Sequence, residues 1–168
     1  MTDEQKENLN TKIAAIRDEN YSNYGHSTIF DYHSDTIDSR DIQERIDELQ
    51  SEFDSHVDEY EESDGEEDGE EYAGEDLLNW LEENGDEFVT LLEIKEEVEQ
   101  YTSEWDDGAF MIADDYLELY AQELAEDTGA IDRKAKWPLT HIDWDAAAEE
   151  LKCDYSEVEI GGKSYWIR

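Results

Sequence analysis

Between Asp47 and Asp132 the chain carries a single Lys or Arg, Lys95, among a dense succession of Asp and Glu residues. The acidic excess extends over the whole sequence and gives it a formal net charge of -39. Like charges four residues apart on a helix cost about 0.2–0.5 kcal/mol per pair, and the compact state is further destabilised by self-repulsion. Because solubility needs far less charge, four explanations remain: a polycationic partner, bound metal, a high-salt habitat, or a chain that does not fold.

Composition favours a folded protein. High charge and a mean hydropathy of -0.95 are typical of disordered chains, but the 168 residues include 5 Trp, 10 Tyr and 4 Phe. The single Cys153 cannot form an internal disulfide, and no apolar run reaches the roughly 18 residues of a membrane span. Anionic lipids and nucleic acid would repel the carboxylates. We therefore expect a cytoplasmic protein that binds neither membranes nor nucleic acid directly.

Hydrophobic periodicity predicts helices in the first half of the chain. A thin apolar stripe predicts one helix from about residue 3 to 19, and a short strand is predicted at 27–32. From Ser39 to Tyr60 apolar residues recur every three or four positions, as in an amphipathic helix. Residues 61–75 are mostly acidic or Gly, which is the composition of a solvated linker.

The second half is predicted to combine helices with a β-hairpin. One helix should end near Gly85 and another begin at Asp86, and residues 114–127 should form a helix that Gly129 ends. Asp143 or His141 should open a further helix, and residues 156–167 alternate around a Gly-Gly turn. The predicted fold is a helix-rich α+β fold with three parts: a mainly helical region at 1–60, an acidic linker at 61–75, and an α+β domain at 76–168.

Carboxylates line the predicted outer surface of the C-terminal domain. On the helix at 114–127 they recur every three or four residues, and four residues rise about 6 Å. Duplex DNA presents one phosphate per about 3.4 Å of axis on each strand, so such rows can approximate its charge. An ordinary exposed helix face is also charged, but it usually mixes signs. We predict that these carboxylates replace DNA in a basic groove: Asp114, Asp115, Glu118, Glu123, Glu126, Asp127, Asp143, Asp145, Glu149, Glu150, Asp154, Glu157 and Glu159.

The acidic linker contains a second, cation-binding pattern. Asp64, Glu66, Asp68, Gly69 and Glu75 match positions 1, 3, 5, 6 and 12 of an EF-hand calcium loop. Position 3 is Glu where Asp or Asn is usual, and chance matches arise easily in so acidic a stretch. Calcium binding is therefore kept only as an alternative.

No catalytic or zinc-binding motif accompanies these acids. The four His residues do not fall at HExxH or Cys/His ligand spacing, and Cys153 has no CxxC partner. GxSxG, P-loop and GxGxxG motifs are absent from the sequence. Among 51 Asp and Glu, pairs of carboxylates do not indicate acid–base catalysis, which needs particular geometry. We expect a protein that is not an enzyme and needs no cofactor.

Three runs in the second half resemble one family. They are YAQELAED at Tyr120 to Asp127, HIDWDAAAEEL at His141 to Leu151 and DYSEVEIGGKSYWIR at Asp154 to Arg168. They are similar to the C-terminal region of ArdA-type antirestriction proteins of phages and mobile elements. The first 75 residues depart from that family's N-terminal domains.

The resemblance implies an acidic, elongated and often dimeric protein that imitates bent duplex DNA and blocks type I restriction and modification enzymes. The expected function is thus inhibition of such an enzyme by occupying its DNA-binding groove. Three alternatives remain open. The chain could inhibit another nucleic-acid-binding defence protein, act as a calcium-binding or other acidic protein-interaction module, or be an ordinary domain of a halophile.

Overall fold

A computed structural model describes residues 3–17, 34–63, 67–132, 134, 136, 137 and 140–168. Within these residues the chain forms six helices and four strands, which confirms the predicted helix-rich α+β fold. The helices are α1 (Asp3–Arg17), α2 (Ser39–Glu62), α3 (Glu67–Glu99), α4 (Trp105–Gly108), α5 (Leu117–Asp127) and α6 (Trp144–Leu151). The strands are β1 (Thr36–Asp38), β2 (Phe110–Ala113), β3 (Ser156–Ile160) and β4 (Lys163–Ile167). Asp114–Tyr116 and Lys152–Asp154 are 3₁₀ turns.

The chain divides into two compact units. Unit 1 comprises Met1–Phe30 and Ile42–Lys95, and unit 2 comprises Asp31–Asp41 and Glu96–Arg168. None of the described helices is both long and apolar enough to cross a membrane.

These units replace the predicted division into 1–60, 61–75 and 76–168. The prediction assumed that the acidic segment separates two domains. Instead, the residues that follow this segment pack against α2, so they belong to unit 1. Strand β1, which precedes α2, pairs with β2 and so belongs to unit 2.

In unit 1, α2 and α3 lie side by side in antiparallel directions. Arg45 Nη2 lies 2.9 Å from Glu87 Oε2, and Trp80 Nε1 donates a hydrogen bond to Glu52 Oε2 at 2.9 Å. Residues later in α2 therefore contact residues earlier in α3, as antiparallel helices require. The apolar stripe predicted for α2 is buried along its whole length, at Ile42, Ile46, Leu49, Phe53, Val57 and Tyr60.

One continuous helix, α3, replaces the two separate helices predicted on either side of Gly85. Gly85 is helical and buried, and Leu81 and Phe88 on either side of it are buried too. The Phe88 ring lies 6.0 Å from the Phe53 ring of α2. Packing along this stripe outweighs the roughly 1 kcal/mol that a glycine costs in a helix interior.

The acidic segment predicted as a linker is largely helical as well. α2 ends at Glu62 and α3 begins at Glu67. Ala73 and Leu77 extend the buried stripe of α3 back toward its first turns. Because a helix can bury these two side chains while its carboxylates face water, a high acid content does not require an unfolded linker.

Unit 2 contains a four-stranded antiparallel sheet with the strand order β1-β2-β4-β3. The predicted hairpin is confirmed, and its turn residues Gly161 and Gly162 have φ values of 58° and 79°, which the favoured two-residue hairpin turns require. β1 and β2 were not predicted as strands. They pair with Ile37 opposite Met111, and strands of three and four residues are too short to show a clear alternation. The strand predicted at 27–32 lies outside the described residues.

The two faces of this sheet are apolar at its centre. Ile112 and Trp166 face each other across β2 and β4, and they pack into a cluster with Leu117 of α5 and Ala148 of α6. Met111, the neighbour of Ile112, points to the opposite face and is fully buried. The helices α5 and α6 are therefore fixed to one face of the sheet by apolar contacts.

The buried ion pair of unit 1 leads to the first prediction. Arg45→Met leaves Glu87, which is only 3% exposed, without its cationic partner. Removing one partner of a buried pair costs about 3–5 kcal/mol, and we expect the lower end because the Arg45 side chain is 31% exposed. Urea unfolding followed by circular dichroism measures this loss.

Two further variants serve as controls for that prediction. Arg40→Met removes an arginine that is 65% exposed and paired with Asp38, so it should cost much less stability than Arg45→Met. Replacing Arg45 and Glu87 together by Met should restore most of the stability, because no buried charge is then left unpaired. A double variant as unstable as Arg45→Met would contradict the assigned role of the ion pair.

Candidate acidic partner-binding surface

The carboxylates predicted to imitate DNA all belong to unit 2. They lie on α5, α6 and β3, on the two 3₁₀ turns, and at Asp143 directly before α6. Twelve of the thirteen are exposed, and Glu126 is partly buried. A partner could therefore reach nearly all of them.

Apolar contacts on the inner side decide which residues of these elements face water. On α5, Leu117 and Ala121 are buried, so Glu118 and Glu123 are on the outer side. In β3 the buried residues are Val158 and Ile160, and the alternation of a strand leaves Glu157 and Glu159 exposed.

Lys152 neutralises part of this surface. Its Nζ lies 2.8 Å from Asp114 Oδ1 and 2.7 Å from Glu149 Oε1, and 5.0 Å from the centroid of the Trp166 ring. Trp166 Nε1 also donates to Asp114 Oδ1 at 2.8 Å. The hydrogen bonds from Lys152 and then from Trp166 hold the pKa of Asp114 below its usual value. In turn Asp114 and Glu149 raise the pKa of Lys152.

Three more of the predicted carboxylates have partners within unit 2. Lys163 Nζ lies 3.0 Å from Asp115 Oδ1, and the Tyr116 hydroxyl donates to Glu123 Oε2 at 2.8 Å. Of the two residues expected to open α6, Asp143 rather than His141 caps it, by accepting a hydrogen bond from the Ala146 backbone N–H at 3.1 Å. These carboxylates are occupied by contacts that stabilise the fold.

Six predicted carboxylates are exposed and make neither a hydrogen bond nor an ion pair with any residue that the structure describes. We call them the open carboxylates: Glu118, Asp145, Glu150, Asp154, Glu157 and Glu159. Glu126 is not among them, since it accepts a hydrogen bond from Gln122 at 3.5 Å, and neither is Asp127, which also has an interaction.

The open carboxylates are attached to regular elements, which limits how far each charge can move. Glu157 and Glu159 are two residues apart on a strand, a separation of about 6.7 Å along its axis. Asp145 and Glu150 lie near the two ends of α6, and Asp154 follows in the next turn. Such an array presents fixed negative charge at spacings of several ångströms without reorganising. That arrangement suits binding to a positively charged surface.

Sequence reasoning missed the two lysines that neutralise this surface. Lys152 and Lys163 are distant in sequence from Asp114 and Asp115, and the contacts arise only when α6 and the hairpin fold back beside α5. Residues 114–127 include no Lys or Arg of their own, but the fold brings these two lysines to the first turn of that segment. No local sequence signal identifies these pairs.

The EF-hand alternative for the acidic segment falls only partly on residues that the structure describes. Asp64 and Glu66 lie outside them, and Asp68 and Glu75 are residues of α3. An EF-hand holds its ion in a 12-residue loop, whereas the described part of this segment, from Glu67 on, is helical. The described residues therefore give this alternative no support.

A different group of possible metal ligands occurs in unit 1. One ligand atom each from His56, Glu59 and Asp76 lies within 4.8 Å of the other two. Motif searching overlooked this group because its members come from two helices rather than from one short sequence pattern.

The contacts of Lys152 lead to the second prediction. Lys152→Gln should raise the pKa of the Asp114 carboxyl toward its usual value of 3.8, because the hydrogen bond and charge that lower it are removed. The contribution of this pair to stability is present above pH 3.8 and is lost as the pH falls through the depressed folded-state pKa. Carboxyl ¹³C NMR titration of wild type and variant measures the change.

Asp38 provides the control for that titration. A hydrogen bond from Arg40 lowers its pKa, so the Lys152 substitution should leave it unchanged. A shift of both carboxyls would point to a general charge effect, and an unchanged Asp114 would contradict the assigned pairing.

Comparison with protein-family models, with curated proteins and with solved structures found no match for this chain.

Proposed function

We propose that this chain inhibits a DNA-binding defence enzyme by occupying the basic groove that normally holds DNA, and that the enzyme is a type I restriction-modification enzyme. The observation that carries the proposal is the set of six open carboxylates on α5, α6, β3 and the 3₁₀ turn that follows α6. These charges are exposed and held on a packed α+β framework.

The physical basis is competition for the same cations. An enzyme that binds DNA presents Lys and Arg to successive phosphates, and this contact is independent of base sequence. Carboxylates at spacings of about 6–7 Å can take the place of those phosphates. A chain with a net charge of -39 also attracts a basic groove over a distance, so association should be fast and should weaken as salt screens the charges.

The resemblance of three C-terminal runs to ArdA-type antirestriction proteins favours a type I enzyme as the target. Two of these runs carry open carboxylates, namely Asp145 and Glu150 in one, and Asp154, Glu157 and Glu159 in the other. Five of the six open carboxylates thus lie within the runs that resemble the family. The same chemistry would also suit another nucleic-acid-binding defence protein.

The proposal is tested by competition. A type I restriction enzyme is bound to labelled duplex DNA, and the purified chain is titrated in at low and at high salt. Stoichiometric displacement of the DNA that weakens with salt is the expected result. No displacement at either salt concentration would exclude this enzyme as the target.

Two variants with equal charge change give the third prediction. In the first, all six open carboxylates become amides, Glu→Gln and Asp→Asn. In the second, six exposed unit 1 carboxylates without a described partner are changed in the same way: Glu44, Asp58, Glu62, Glu75, Glu82 and Glu83. Each variant removes six negative charges, so general electrostatic steering is reduced equally in both.

We expect the first variant to need at least about tenfold more protein for half-maximal displacement, since exposed ion pairs contribute about 0.2–1 kcal/mol each. The second variant should change this concentration much less. Equal losses in the two variants would show that total charge matters rather than the arrangement on unit 2. Full activity of the first variant, with circular dichroism showing an intact fold, would refute the proposed surface.

A further inference from the structure

We infer that His56, Glu59 and Asp76 form a binding site for a divalent transition-metal ion such as Zn²⁺ on the α2–α3 pair of unit 1. This inference is independent of the proposed inhibitory function, which concerns unit 2. It rests on the ligand chemistry, the distances between the ligand atoms and the packing of His56.

Helix geometry brings the three residues together. His56 and Glu59 are three residues apart on α2, so they project from the same side of that helix. Asp76 lies across from them on α3. Because α2 and α3 are antiparallel and Glu52 contacts Trp80, residues after Glu52 lie opposite residues before Trp80. Two rigid elements therefore contribute the ligands.

The distances are close to what a bound ion requires. His56 Nδ1 lies 4.0 Å from Asp76 Oδ2, and all three ligand atoms lie within 4.8 Å of one another. A tetrahedral ion with bonds of 2.0–2.2 Å holds its ligand atoms about 3.4 Å apart. The remaining difference is small enough for rotations of the long Glu59 side chain and of Asp76 to close it.

The imidazole of His56 is oriented by its surroundings. Its ring centroid lies 6.1 Å from that of Trp80, with an angle of 42° between the ring planes. Trp80 is itself 7% exposed and is held by its hydrogen bond to Glu52. The His56 side chain is 27% exposed, so the ring is packed on one side while solvent reaches the site.

The charges at this site favour a cation. Neither Glu59 nor Asp76 forms an ion pair with a Lys or Arg in the part of the chain that the structure describes. Two carboxylates and an imidazole offer one nitrogen and several oxygens. This mixture suits Zn²⁺ or Co²⁺ better than Ca²⁺, which prefers oxygen ligands alone. Three protein ligands leave at least one coordination position for water.

Calorimetric titration of the full chain with Zn²⁺ at physiological ionic strength tests the inference, with Ca²⁺ as a parallel titrant. The expected result is one saturable Zn²⁺ site per chain and no comparable Ca²⁺ site. Co²⁺ absorption provides a second readout, since coordination by nitrogen and oxygen changes its visible spectrum. Thermal unfolding of the Zn²⁺-loaded chain is compared with that of the metal-free wild type as a third readout.

Variants assign the site to these residues. His56→Phe keeps an aromatic ring beside Trp80 but removes the ligand nitrogen, and Asp76→Asn removes a charged ligand without changing its size. Each should weaken Zn²⁺ binding at least about tenfold, which is the smaller end of the effects seen even for residues that only support metal ligands. Glu75→Gln removes the same charge from the exposed residue beside Asp76 and should leave Zn²⁺ affinity unchanged.

The outcomes distinguish a specific Zn²⁺ site from non-specific attraction of cations to the acidic surface. A saturable site that disappears in His56→Phe and Asp76→Asn, but persists in Glu75→Gln, supports the inference. Absence of saturable Zn²⁺ binding, equal binding of Ca²⁺, or equal weakening by all three variants would overturn it. If His56→Phe unfolds, the comparison of Asp76→Asn with Glu75→Gln still decides, because both substitutions affect exposed carboxylates.

Discussion

Burying a carboxylate in a protein interior destabilises the fold by more than burying an apolar side chain stabilises it, unless a cation and hydrogen bonds accompany the carboxylate. In a chain with 51 Asp and Glu this cost decides which elements can form. Among the described residues only Glu87 is buried with its charge, and Arg45 pairs with it. All the other acids whose burial the structure describes lie at least partly in water. The chain achieves this with helices that bury one stripe and with a strand, β3, that buries alternate residues.

The same constraint leads to different surfaces on the two units. In unit 1 the acids cover the outer sides of two antiparallel helices whose inner sides carry Phe53, Trp80 and Phe88. In unit 2 the acids near α5 are divided between those held by Lys152 and Lys163 and those that remain open. Lys152 and Lys163 bind Asp114, Asp115 and Glu149 and so stabilise the fold of unit 2. These three carboxylates therefore offer less negative charge to a partner. The arrangement of charge, rather than its total, is thus what distinguishes one acidic face from another.

Sequence patterns predicted the parts of the fold that depend on local chemistry. The period of α2, the cap at Asp143 and the Gly161–Gly162 turn are each determined within a few residues, and each is confirmed. The patterns failed where a distant contact decides. Gly85 does not end its helix, since Phe88 continues the stripe that packs on Phe53.

The same distinction applies to the candidate sites. Exposure of the predicted carboxylates follows from the local alternation of apolar and acidic residues, and twelve of thirteen are exposed as that alternation predicts. The Glu149–Lys152 pair is local, but the pairing of Asp114 with Lys152 and of Asp115 with Lys163 depends on how α6 and the hairpin pack. The group of His56, Glu59 and Asp76 likewise depends on the register of two helices. Local patterns therefore identify which residues face water, while tertiary packing decides which of them meet.

The pairing of β1 with β2 has a consequence for how unit 2 is made. β1 is synthesised before residues 42–95 and its partner β2 after them, so the ribosome translates all of unit 1 before this pair can form. Contacts so distant in sequence are slow to form, because a long loop must close first. The α2–α3 pair, by contrast, joins neighbouring segments and can form while translation continues. We therefore expect the α2–α3 pair to form during translation while the backbone edge of β1 is still unpaired. At that stage a chaperone or a second nascent chain could bind β1.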